Sequence, residues 1–73
     1  MRPEDIKQMI EYGLPGARVS VTGDGHHFEP VVVAREFAGK GMVQRHQIVY
    51  RTLGAKLGNE IHALSLRTLA PDE

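Results

Sequence analysis

The chain has 73 residues, with nine Lys and Arg balanced by nine Asp and Glu, four His and no Cys. That length gives one small domain, 1–73, with little apolar surface to bury, and it excludes a disulfide framework. Zero formal net charge argues against bulk attraction to nucleic acid or to an anionic membrane. No run is long and apolar enough for a signal peptide or a membrane span, so a soluble, unprocessed, cytoplasmic protein is expected.

In chain order, Pro3 suits the first turn of a helix, Glu4 and Asp5 oppose its dipole, and Ile6, Met9, Ile10 and Leu14 recur at helical spacing up to Gly13 and Pro15-Gly16. Ala17 to Thr22 then alternates, with Val19 and Val21 on one face of a strand and Arg18, Ser20 and Thr22 on the other. The Gly23-Asp24-Gly25 turn leads to a second, valine-rich strand from Phe28 to Ala34. Pro30 cannot donate to a ladder and is expected near its start or at a bulge. From Met42 to Leu57 the period becomes helical, placing His46, Val49, Tyr50, Leu53 and Leu57 on one stripe and Ile48 opposite, between Arg45 and Lys56. Gly58 or Asn59 closes that helix, and Ala63 to Leu69 reads as a third strand with Leu64 and Leu66 facing inward. The order helix-strand-strand-helix-strand predicts an α+β domain: a three-stranded mixed sheet, its last two strands parallel, with both helices on one face.

The histidines carry the chemistry. His62 is in phase with Leu64 and Leu66 at the mouth of the third strand, where an imidazole either rims the core for a ligand or packs on the helix layer and bonds a carbonyl. His26 and His27 follow the turn, and because adjacent strand residues point to opposite faces only one of them is expected to aim at a given ligand. Asp24 is a candidate to orient such a ring, and the pair equally suits an ordinary polar hairpin. A closed zinc site is not expected, since no closely spaced paired ligands occur. His46 reads as a half-buried structural histidine. Arg45, Arg51 and Lys56 around Ile48 form either a solvated face or a patch that contacts a protein partner. No nucleophile elbow, acid-base carboxylate pair or phosphate loop is present, so an enzyme is not expected.

The run Thr22-Gly23-Asp24-Gly25-His26-His27-Phe28, with Val31-Val32-Val33, Phe37-Ala38-Gly39-Lys40, Val43 to Tyr50, Leu53-Gly54 and Ile61 to Leu66, resembles the BolA-like family along nearly the whole chain. The glycine-aspartate-glycine turn is similar to that of short bacterial members linked to acid resistance. The resemblance implies a class II KH-like fold and a non-enzymatic partner of monothiol glutaredoxin. Glutaredoxin cysteine, glutathione and family histidines would share a bridging [2Fe-2S] cluster, for iron-sulfur trafficking or for iron and stress sensing. It matches His62 to the C-terminal ligand and His26 or His27 to the loop ligand, and implies no cofactor in the isolated chain. His46 matches an arginine-histidine signature, and Gln47 stands where many members carry arginine. A KH-like nucleic-acid-binding regulator is the alternative, weakened because no GXXG loop occurs.

Overall fold

The computed structural model describes residues 1–61 and 63–73. Helix α1 spans Pro3–Gly13, its first turn closed by the Asp5 carboxylate, which accepts the Arg2 backbone N–H at 3.0 Å. Strands β1 (Arg18–Gly23) and β2 (His27–Val33) form an antiparallel hairpin in which Val19 faces Val32 and Val21 faces Pro30. A 3-10 turn at Arg35–Phe37 drops Phe37 into the core and leads to helix α2, Met42–Leu53. Strands β3 (Ala63–Leu64) and β4 (Arg67–Leu69) both run parallel to β2, which is therefore central.

The core lies between sheet and helices. Ile6 and Ile10 of α1 and Val49 and Leu53 of α2 meet Val19, Phe28 and Val32 of the sheet, with Phe37, Ile61 and Ala70 closing the ends. Gly13 allows the two helices to approach, since a Cβ there would lie 2.5 Å from Thr52 Cγ2. Strand alternation gives the sheet one buried and one wet face: Val19, Phe28, Pro30 and Val32 are buried, while Ser20, Thr22, His27 and Glu29 are exposed.

The expected sheet and the expected end of α2 are corrected here, and with the sheet the place of Pro30. The expected three-stranded, KH-like sheet is a four-stranded mixed sheet, because Ala63–Leu69 is interrupted at Ser65-Leu66. Pro30 supplies the reason. Phe28 C=O accepts the Ser65 N–H at 2.9 Å and Ala34 N–H donates to Leu69 O at 3.0 Å, so even-numbered positions of β2 turn their main-chain groups to this edge. Pro30 shares that phase and has no N–H to donate, and the ladder parts there into β3 and β4. Pro30 thus sits at mid-strand and buried, neither at a start nor at a bulge.

The second correction concerns α2, which ends at Leu53 rather than Leu57. Gly54 takes a φ of 54°, and Gly54–Lys56 continue as a 3-10 turn before Leu57 bridges to Ile61.

Candidate functional site

The hairpin end is built by Asp24. Its Oδ1 accepts the backbone N–H groups of both His26 and His27 at 2.9 Å, and its own N–H donates to His27 O at 3.3 Å. These main-chain donors, His27 first, hold the Asp24 carboxyl below the ordinary carboxylate range. Asp24 therefore orders the backbone beneath the two histidines and does not, as expected from the sequence, meet an imidazole. Gly23 is required beside it, because a Cβ at that position would lie 2.5 Å from His27 O.

His26 and His27 are both exposed but differently held. His27 Nε2 lies 2.7 Å from Ser65 Oγ, on the wet face just beyond β3. Among the described residues, the His26 ring has no hydrogen-bond partner. Parallel pairing sets His27 opposite Ala63, the residue that follows His62 in the chain. His62 itself lies outside the described residues. Ile61 on its N-terminal side is buried in the core, held by a Gly58 N–H to Ile61 O bond of 2.8 Å.

Ser65 is the residue that sequence reading missed. It shares a strand face with Ala63 by alternation, and Ala63 shares a register with His27, so the signal lay in the pairing rather than in any motif.

His46 is half-buried and meets Tyr50 edge-on, with centroids 6.0 Å apart at 69°. It also rims a cleft of about 250 Å³ with Leu66 and Arg67. The four expected partner contacts are held in different ways. Ile48 packs half-buried against the core instead of standing exposed among arginines. Arg45 is engaged within the chain: Nη1 and Nη2 reach Glu73 at 2.6 and 2.8 Å, Nε donates to Lys40 O, and the guanidinium lies over Phe37. Only 12% of its side chain is exposed. Arg51 is exposed beside Gln47 and Tyr50. Lys56 pairs with Glu60 at 3.0 Å, on a groove of about 650 Å³ lined also by Met9, Tyr12 and Thr52. The apolar side chains that α2 does expose are Met42 and Val43 in its first turn.

The chain offers imidazole nitrogen and no thiolate, a donor set that fits one side of a shared metal group. Among the described residues, no three of the His, Asp and Glu side chains gather to hold an ion, so the metal-binding and iron-sulfur description is not matched by these residues. Among the described residues, too, no helix is long and apolar enough to cross a membrane.

Residues 12–73 match the family model described as BolA-like protein. The chain is 34% identical to the acid stress protein IbaG of Escherichia coli (strain K12), over all of this chain and 88% of that one. The structure of a BolA protein homologue from Coxiella burnetii superposes with a TM-score of 0.89 at 51% identity, covering 99% of this chain and 94% of the other. The BolA domain of SufE1 from Arabidopsis thaliana superposes with a TM-score of 0.81 at 26% identity, covering 96% and 92%. The shared architecture is the four-stranded one described above, and the KH-like description is not retained. The chain belongs to the BolA-like family, which is generally non-enzymatic and linked to stress and iron regulation.

Proposed function

We propose that residues 1–73 form a single BolA-like domain that acts in the cytoplasm as a partner of a monothiol glutaredoxin. With glutaredoxin cysteine and glutathione on the other side, it would share ligation of a bridging [2Fe-2S] cluster, serving iron-sulfur trafficking or iron and stress sensing. The observation that carries this reading is the parallel register of His27 with Ala63, which ties the hairpin imidazole to the chain segment that follows His62. His62 supplies one ligand and the hairpin pair His26 and His27 the other. The sulfur comes in trans, since the chain has no cysteine. Imidazole in place of thiolate raises the reduction potential and makes ligation proton-sensitive, properties suited to a cluster that is handed on. Arg51 and Lys56 remain exposed for the partner contact, whereas Arg45 and Ile48 serve it through the surface they support.

His62→Ala tests the ligand assignment. The visible circular dichroism of the complex with glutaredoxin should be lost or strongly altered, while the far-ultraviolet spectrum of the free chain is unchanged. A visible spectrum identical to that of the wild type removes His62 from the site.

A second reading has one observation in its favour, that relatives from Vibrio cholerae and Escherichia coli are named DNA-binding transcriptional regulator BolA. It requires the isolated chain to bind DNA with a steep salt dependence, weakened by Lys40 or Arg51 substitutions. Absence of binding at low salt eliminates it.

A further inference from the structure

His27 and Ser65 are 38 residues apart, and their side chains meet at 2.7 Å between Nε2 and Oγ. Both ends of this contact are fixed by main chain. The His27 N–H donates to Asp24 Oδ1 at 2.9 Å, and the Ser65 N–H donates to Phe28 O at 2.9 Å. The serine hydroxyl therefore stands at a set place beside the ring, on the wet face of the sheet.

A neutral imidazole has one nitrogen that donates and one that accepts, and the bond made by the first decides which lone pair the second can offer. Serine oxygen can accept from Nε2–H or donate to a bare Nε2. Only the first arrangement leaves Nδ1 with a lone pair for a metal. Metal-binding histidines as a rule donate their other ring N–H to such an acceptor.

We infer that Ser65 is the positioning residue of the hairpin histidine: its Oγ accepts the His27 Nε2–H, fixes the ring and leaves Nδ1 as the atom offered to the cluster. The inference rests on the function proposed above and selects His27 over His26. The His26 backbone N–H is held by Asp24 like that of His27, but its ring meets no described partner. Ser65 touches neither cluster nor glutaredoxin in this account; it acts through His27.

The test has two arms on the full chain. In the free protein, long-range proton-nitrogen NMR of the imidazole rings in mildly alkaline buffer should show His27 as a single Nε2–H tautomer. Ser65→Ala, an exposed truncation, should lose that single-tautomer pattern, and Ser65→Thr should restore it. An Nδ1–H tautomer in the wild type, or a pattern indifferent to Ser65→Ala, overturns the inference. In the anaerobic complex with cluster-loaded glutaredoxin, Ser65→Ala should speed loss of the visible absorbance by about tenfold or more, the usual scale for losing a partner of a ligating histidine. Ser20→Ala, an exposed position on the same wet face, should leave that rate unchanged. A tautomer that follows the serine while cluster loss does not leaves the ring positioning standing and overturns His27 as the ligand, so the two failures are distinct.

Discussion

Asp24 is exposed and makes no salt bridge among the described residues, yet its carboxylate organises the hairpin because two consecutive backbone N–H groups converge on one oxygen. A carboxyl held below its ordinary value contributes order that is complete above the unfolded-state pKa and lost as pH falls through the lowered one. Asp24→Ala should accelerate amide hydrogen exchange at His26 and His27 at neutral pH. The wild type should approach the variant's rates, corrected for intrinsic exchange, only in acid below the normal carboxylate range. Equal corrected rates at neutral pH would contradict this role. Much at this scale was legible, since a glycine-aspartate-glycine turn before paired histidines is a local signal. What was not legible is the direction of the Asp24 bond, to main chain rather than to a ring, because both targets lie within three residues of it. The Ser65 contact was equally hidden, depending as it does on a register set by another strand.

Helices and strands were legible wherever one local period governed them. Apolar spacing and Gly13 marked α1, and valine alternation marked β1, with Val19 buried and Val21 half-buried as expected. Misreadings arose where a neighbour decides the outcome. Pro30 broke the ladder of the strand beside it, and that effect is not visible in the sequence from Ala63 to Leu69. Ile48 was placed by angle opposite the core stripe, between Arg45 and Lys56, and packing holds it half-buried against the core.

The closure of the C-terminal segment on α2 is likewise long-range. The Arg45 guanidinium, first, and the Ala70 N–H hold the Glu73 carboxyl down to about 2. Its contribution to stability should be whole above the ordinary value of 4.5 and decline as pH falls toward about 2. Glu73→Gln should lower the melting temperature at pH 7, with the gap to wild type closing by pH 2. A gap that persists unchanged at pH 2 would contradict the assignment. Gly13 yields a prediction of opposite sign to propensity. Alanine in place of a helical glycine ordinarily stabilises by about 0.5–1 kcal/mol. Here the added methyl meets Thr52, so Gly13→Ala should lower the melting temperature; a rise would show that α1 and α2 are free to part.

For the whole molecule, the division between buried and wet sheet faces orders the account. One face joins Val19, Phe28 and Val32 to both helices; the other brings His27 and Ser65 together at the hairpin end. The family was legible because its motifs spread along the chain, and residues 12–73 match the family model. The strand count was not, because one proline divides an otherwise continuous run. The histidines separate accordingly: His46 is packed against Tyr50, His27 is held by Ser65, His26 has only its backbone fixed, and His62 is left to experiment. The direct test is anaerobic titration of the cysteine-free chain into cluster-loaded monothiol glutaredoxin, followed by visible circular dichroism. A new spectrum that saturates at a fixed ratio and is lost with His62→Ala is the result predicted. Binding of the chain with the glutaredoxin spectrum unchanged would contradict shared ligation.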